Sequence, residues 1–394
     1  MPKLLMISPA PVIDRGETAI LDVKFVEGMA AQAAAWDGQI DSLLWEGAAT
    51  IAFPVEVEKA ALPWRLIAVP QGQALSPVIG QGYDLVSAAG DMPETLGLAG
   101  PGRSAVVYTI EYSHRTRLDI LDLDRSIGPL RRLRRRLWLE MNERRRRSAF
   151  AAAVALQSNG YPGQVAYGGL ARDLHMYLDN RMTTDRYAND AEILARLTRL
   201  GSNEPLRLVY SGRLDPMKGA QDLVPLAKAL TDLGFQFTLD VFGDGNLHRQ
   251  IANEVAAAGL ADRVRLHGNV DFASELIPWQ RRNADLFISC HRQGDPSCTY
   301  IESMGCGLPI VGYDNEMWGP LSRASGAGWA EPLGRVDALA ARIAKSPRSE
   351  FARAAKAAFN FARQHDFETE FLGRMNHLKT VAARVRPGAD VMGQ

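Results

Sequence analysis

The sequence predicts an α/β protein built from two doubly wound domains. Three observations lead there. The chain has 394 residues, 46% of them apolar, which is more than one compact core usually holds. Short apolar runs alternate with helical stretches, the pattern of a parallel sheet covered on both faces. The second half repeats a strand–loop–helix unit.

In order, Lys3 to Ser8 reads as a buried strand that ends at Pro9 and Pro11. Residues 20 to 36 give a helical pattern through Phe25, Met29 and Ala33. Strands follow at Ser42–Trp45, Trp64–Val69, Tyr83–Val86 and Ala105–Ile110. Residues 128 to 155 read as one long helix or two joined ones, and Ala153–Gln157 as another strand closed by Asn159-Gly160 and Pro162. Residues 168 to 204 are polar and mixed, and a boundary is placed near 195 to 205. Beyond it, strands are expected at Leu206–Tyr210, Gln236–Phe242, Val264–Leu266, Leu286–Cys290 and Pro309–Tyr313. Helices fill Ala220–Leu233, Leu247–Ala258, Leu276–Asn283 and Thr299–Cys306, and from Ser349 onward the chain is largely helical.

Forty-five basic residues balance forty-five acidic ones, so no global charge draws the chain to nucleic acid. The three cysteines, Cys290, Cys298 and Cys306, form no paired element for a structural metal. Their low, odd count fits a reducing compartment. The start MPKLLMISPAPVID is too short in apolar length for a signal peptide, and no run of eighteen apolar residues occurs. A cytoplasmic protein is expected.

Ligands of open α/β sheets bind at the carboxyl ends of strands. Gly212-Arg213-Leu214-Asp215-Pro216-Met217-Lys218-Gly219 sets an arginine just past a strand and a lysine at a helix start. A guanidinium fork and a flexible ammonium on one loop suit a diphosphate, although two solvated charges on an ordinary loop remain an equal reading. Gly294 to Glu302 leads small residues into a helix, an arrangement that cradles anions. Glu302 would accept hydrogen bonds from ribose hydroxyls, or act as a plain capping carboxylate. Leu130, Leu133, Leu137 and Met141 form an apolar stripe amid the blocks Arg131–Arg136 and Arg144–Arg147. Two readings stay open: a core-facing helix with a solvated basic face, or a patch that rests on anionic lipid or catches an acidic acceptor.

The ordered set GRLDPMKG, FGDG, VRLHGNV and DPSCTYIESMGCGLPIVGY resembles the retaining GT-B glycosyltransferases of family 4. The resemblance covers Leu206 to Tyr313 strongly, and the first half only in outline. It implies a GT-B fold, two Rossmann-like domains facing across a cleft. The domains would be 1–200 on the acceptor side, 201–360 for the nucleotide sugar, and a helical tail 361–394 packing back on the first. It implies transfer of a sugar from a UDP- or GDP-sugar to a sugar, glycolipid or other hydroxyl acceptor, in polysaccharide or glycoconjugate synthesis. It implies no metal and no further cofactor.

By resemblance, Arg213 and Lys218 bind the donor diphosphate beside Gly212. Gly243, Asp244 and Gly245 lie near the nucleotide, and Leu266 and His267 frame the base. Pro296, Ser297, Cys298 and Thr299 line the phosphates, and Glu302 binds the ribose. The family's first glutamate falls on Gly294, so that carboxylate is absent and Asp295 is its nearest substitute. His114 resembles a histidine near the donor sugar, with a surface or packing histidine as the other reading. Asn159 and Tyr161 face the acceptor or form a simple turn. The glycine-rich family loop is replaced by Pro9 to Gly16. The rival classes are a GT-B-like epimerase or phosphorylase, and a non-catalytic sugar-nucleotide binder.

Overall fold

A computed structural model describes residues 1–47, 51, 53–124 and 126–385. The chain divides into two units. Unit 1 comprises Met1–His114, Leu137–Tyr177 and Phe371–Gln394, and unit 2 comprises Arg115–Arg136 and Leu178–Glu370.

Unit 1 holds β1 (Lys3–Arg15), β2 (Thr18–Asp22), β3 (Gln39–Glu46), β4 (Pro54–Glu58), β5 (Arg65–Val69), β6 (Leu85–Ala89), β7 (Val106–Ile110), β8 (Ala155–Asn159) and β9 (Leu174–Tyr177). A parallel sheet runs β5-β3-β1-β6-β7-β8-β9. Successive residues point to opposite faces, so Leu5, Val86, Val106 and Leu156 build one core while Leu4, Leu85, Val107 and Ala155 build another. That second face is covered partly by Met375, Leu378, Val381 and Ala382 of the helix Phe367–Val385. Of the expected tail 361–394, residues 386–394 lie outside the described residues.

Three expectations change in unit 1. First, Pro9 and Pro11 do not end β1. The β1–β3 register shifts between Ile7 and Pro11, and an irregularity is where a strand tolerates a missing N–H. The expected loop from Pro9 to Gly16 is therefore mostly strand, and it turns back at Gly16 (φ 79°) to pair antiparallel with β2. Second, residues 20 to 22 belong to β2, and the helix starts at Val23 because the Asp22 side chain accepts from Lys24 N at 2.9 Å. Third, Asn159-Gly160 does not close a strand into a simple turn but opens the helix Gly160–Tyr167.

The long basic helix spans Pro129–Ala152. Its buried residues are Leu139, Asn142, Glu143, Arg146, Ala149 and Phe150. The stripe Leu130, Leu133, Leu137 and Met141 is instead 78, 55, 57 and 66% exposed. The core-facing reading of that stripe is thus overturned. Arg146 is what turns the helix over: fully buried, it donates to Gly90 O, Glu143, Tyr167, Asp91 and Tyr112 O at 2.9–3.2 Å.

Unit 2 holds β10 (Leu206–Ser211), β11 (Phe237–Phe242), β12 (Val264–Gly268), β13 (Leu286–Ser289), β14 (Ile310–Tyr313) and β15 (Gly328–Glu331). They form one parallel sheet in the order β12-β11-β10-β13-β14-β15. The order reverses direction between β10 and β13, which defines a topological switch point. The sequence reading did not foresee β15 or the helices Trp318–Ser325 and Val336–Lys345 around it.

The longer segment of unit 2 begins at Leu178, ahead of the boundary expected near 195 to 205. The helix Asp190–Leu200 is bound into it through Arg196, whose buried guanidinium donates to the carbonyls of Ala284, Cys306, Gln280 and Arg281 at 2.6–2.9 Å. Burial draws that guanidinium down to about 10. An arginine on a helix reads as a solvated residue from sequence, so this tie was not legible.

Candidate functional site

The carboxyl ends of β10 and β13 meet through glycines. Gly219 sits at φ 69°, and a Cβ there would collide with the Cys290 carbonyl oxygen. Gly243 sits at φ 120°, and a Cβ there would collide with the carbonyl oxygen of Gly212. Only glycine lets these backbones approach so closely. Three loops, after β10, β11 and β13, are thereby held at one point.

Lys218 and Asp295 occupy that point. Lys218 Nζ lies 2.5 Å from Asp295 Oδ2 and 3.4 Å from Ser297 Oγ. Both charged side chains are largely buried, where a paired charge is tolerated and a lone one is costly. Asp295 Oδ1 is buried without a hydrogen-bond partner and stands 3.9 Å from His291 Nδ1. Burial, with Lys218 second, draws the His291 imidazole down to about 3, so it is neutral. Arg213 is the open charge of the same loop: its side chain is 64% exposed, 3.5 Å from Asp215. Gly212 precedes it in near-extended backbone (φ 155°).

Glu302 sits in the short helix Thr299–Gly305, whose start carries no side-chain cap. Its carboxylate is 6% exposed and meets Arg181 in a fork, Nε to Oε1 at 2.8 Å and Nη2 to Oε2 at 3.2 Å. The Arg181 guanidinium also lies 3.6 Å over the Phe272 ring. Ahead of this helix, Ser297 N donates to Asp295 O at 2.8 Å and Ser297 Oγ to Thr299 Oγ1 at 3.2 Å, with Pro296 between and a half-buried Cys298 after.

The β11 and β12 ends complete the group. Leu214 N donates to Asp244 O at 3.0 Å, Gly243 N to Gly268 O at 2.7 Å, and Gly245 N to its neighbour Asp244 Oδ1 at 2.8 Å. Leu266 packs against the core of unit 2. His267 Nε2 is 2.7 Å from Asp240 Oδ1, and its ring stacks on Phe242 at 4.3 Å. The His267 side chain is thus anchored.

In unit 1, His114 opens the helix His114–Leu123, with Nε2 3.2 Å from Glu140 and Nδ1 3.8 Å from Glu143. Asn159 is buried and donates to Glu111 at 2.8 Å. Tyr161 is half-buried, and burial raises its hydroxyl. The middle of β1 and the ends of β6 and β7 line a cleft of about 640 Å³ that includes Ser8, Lys24, Asp91, Glu111, Tyr112 and Arg374.

Several groups of unit 2 escaped the sequence reading. Arg181 lay in the stretch read only as polar and mixed. His291 was hidden between a strand and its loop. Glu316, after β14, packs against Gly294, and Thr116 donates to both, at 3.1 Å to Glu316 Oε2 and 3.3 Å to Gly294 O. No spacing rule links positions so distant in sequence. Among the described residues, no three His, Cys, Asp or Glu side chains are grouped to hold a metal ion.

Residues 198–361 match the family model described as glycosyl transferases group 1. The amylovoran biosynthesis glycosyltransferase AmsK of Erwinia amylovora is 28% identical over 155 residues, 38% of this chain and 37% of that protein. A Streptococcus gordonii UDP-N-acetylglucosamine–peptide N-acetylglucosaminyltransferase subunit, GtfA, is 27% identical over 111 residues. The match takes in 28% of this chain and 21% of that protein. The chain therefore spans well under half the length of these curated relatives. Among solved structures, Anabaena HepE in complex with UDP superposes with a TM-score of 0.64 at 17% identity, covering 96% of this chain and all of that one. Sucrose-phosphate synthase of Thermosynechococcus elongatus does so with 0.64 at 16% identity, covering 98% and all of that chain. The chain has the GT-B fold, with two Rossmann-like units, and its residues 198–361 are similar to the glycosyl transferases of group 1.

Proposed function

We propose that the protein transfers a sugar from a nucleoside diphosphate sugar to a hydroxyl acceptor, with retention of anomeric configuration. The observation that carries this reading is the buried Lys218 at the β10–β13 switch point, with Arg213 open on the same loop. Departure of the nucleoside diphosphate breaks the bond from the sugar's anomeric carbon to the phosphate oxygen. Negative charge grows on the diphosphate, and a cation held at low dielectric stabilises it more than water would. Lys218 would exchange Asp295 for phosphate as the donor binds, and Arg213 would close on the other side. Glu302, held by Arg181, would accept from the ribose hydroxyls. Ser297 and Thr299 would line the phosphates, and Gly243 to Gly245 with Leu266 and His267 would border the nucleoside. The acceptor oxygen bonds to the anomeric carbon, and its proton passes to the departing phosphate oxygen. His114 enters as the unit 1 residue whose loss should lower turnover while leaving nucleotide affinity unchanged.

UDP is the first base to test, since HepE is solved with UDP, with UDP and glucose, and with UDP-glucose. GDP is the second. The amylovoran relative favours a polysaccharide or other glycoconjugate as acceptor. Calorimetry with UDP, GDP and ADP on the wild type and on Lys218→Ala decides the matter. A loss of at least about tenfold is expected from removing a buried charge-assisted contact. Equal affinity of the two proteins for both UDP and GDP would refute the site.

We also infer peripheral contact with an anionic bilayer through the helix Pro129–Ala152. Its exposed Leu130, Leu133, Leu137 and Met141 recur at helical spacing on one face. Arg131, Arg134, Arg135, Arg144, Arg145 and Arg147 are exposed along the same helix. A chain of zero net charge that concentrates arginine around exposed leucines is matched to anionic headgroups over apolar chains. Among the described residues, no helix is long and apolar enough to cross a membrane.

A further inference from the structure

Among the carboxylates at the carboxyl end of the unit 2 sheet, Asp295, Glu302 and Glu316 each have a different neighbour. Asp295 gives an oxygen to the Lys218 ammonium at 2.5 Å. Glu302 gives both oxygens to the Arg181 guanidinium. Glu316 accepts from the hydroxyl of Thr116 at 3.1 Å and also feels the charge of Arg115. A carboxylate bonded to a hydroxyl is already disposed as a hydroxyl acceptor.

The place of Glu316 is determined by residue 294. A Cβ on Gly294 would stand 2.6 Å from Glu316 Cβ, 3.0 Å from its N and 3.1 Å from its Cα. Glycine is therefore what lets the loop after β14 lie against the loop after β13. The fully buried Thr116 ties the two together, donating to Gly294 O as well as to Glu316. Asn315 fixes the next link: its Nδ2 donates to His291 O at 3.0 Å, and its Oδ1 accepts from Met317 N and Trp318 N at 2.9 and 2.7 Å. The Glu316 backbone is thus held from both sides, against Gly294, the residue that precedes Asp295. Its side chain is only half-buried, so solvent or a ligand reaches it.

We infer that Glu316 is the carboxylate that binds a hydroxyl of the transferred sugar, from the space that the side-chain-free residue 294 leaves to it. This rests on the transfer proposed above. A diphosphate on Lys218 brings the group attached to it to the neighbouring backbone, which is Gly294 and Asp295. Asp295 is committed to the ammonium, and Glu316 is the carboxylate packed on that backbone. The group it would select is a polyhydroxyl ring, because it offers acceptor oxygens to donors and repels a second anion.

The test measures UDP and UDP-glucose, and GDP and GDP-mannose, by calorimetry on wild type, Glu316→Gln, Glu316→Ala and Gly294→Ala. For the two Glu316 variants the expected result is that diphosphate affinity stays within about twofold, while the affinity for the sugar nucleotide relative to its diphosphate falls about tenfold, the loss of a charge-assisted hydrogen bond. Gly294→Ala should reproduce that fall, since its methyl displaces Glu316. Glu316→Gln, nearly the same shape, decides the outcome should Glu316→Ala not fold. A ratio unchanged in Glu316→Gln, or an equal loss for diphosphate and sugar nucleotide, overturns the inference and leaves the donor site standing. Wild type that binds none of the four ligands overturns the proposed transfer, and this inference with it.

Discussion

Replacing Arg181 by alanine removes both nitrogens of the fork on Glu302, at 2.8 and 3.2 Å, and the guanidinium stacked 3.6 Å over Phe272. A fully buried carboxylate stripped of its partner costs about 3–5 kcal/mol. Here Glu302 is 6% exposed but Arg181 is 50% exposed, so water enters the vacated space and the cost falls to about 1–2 kcal/mol. The lost cation–π contact adds about 0.5–1 kcal/mol. Urea unfolding should therefore show Arg181→Ala about 2 kcal/mol less stable than wild type.

The functional effect is separable from that loss. If Arg181 orients Glu302 toward the ribose, its removal should weaken UDP binding about tenfold, or 1.4 kcal/mol. The wild type should prefer UDP to 2′-deoxy-UDP by about tenfold, and the variant by only about twofold. Calorimetry with the two ligands, at a temperature where both proteins are folded, reads this directly. An undiminished preference for the ribose hydroxyl in Arg181→Ala would refute the positioning role, whatever its stability.

Three further outcomes follow from the same geometry. Burial and Lys218 hold His291 near 3, against a usual 6.5, so the unfolded chain takes up a proton there that the folded chain refuses. Its contribution to stability is then complete above about pH 6.5 and is lost as pH falls toward 3, by up to about 1.4 kcal/mol per pH unit. His291→Asn should flatten that part of the pH–stability curve relative to wild type, and parallel curves would disprove it. Gly219→Ala forces a Cβ onto the Cys290 carbonyl at positive φ and should cost at least about 3 kcal/mol in denaturant unfolding; a loss under about 1 kcal/mol would show that the loops are not in contact. Leu137→Glu with Arg144→Glu should abolish sedimentation with phosphatidylglycerol vesicles, each arginine contributing about 1 kcal/mol near such a surface, and wild type that ignores these vesicles would remove the membrane reading.

The second half of the chain was legible because its signals are local. Apolar runs of β-forming residues, the first two ended by glycine, marked β10, β11, β13 and β14 within a residue or two, and the charged loops sat at their carboxyl ends. The first half was harder. Prolines in β1 looked like a stop, since their tolerance depends on a register shift with β3 that no single strand reveals. The helix Pro129–Ala152 shows the same limit at the level of packing. Its leucine stripe is the apolar face by composition, yet the side chain that chose the buried face was Arg146, through partners 21 to 56 residues away.

By itself, the sequence determined the fold class, the strand and helix periods of unit 2, and Arg213, Lys218 and the Gly294–Glu302 segment as the candidate donor-phosphate site. These rest on residues close along the chain, whose spacing and chemistry carry the information. The tertiary structure alone decided which groups meet: the ion pairs Asp295 with Lys218 and Glu302 with Arg181, and the packing of Glu316 against Gly294. Those pairs join segments 77 and 121 residues apart in the first two cases. Their partners are selected by distance in the folded chain, through Coulomb forces that operate over a few ångströms and are indifferent to sequence separation.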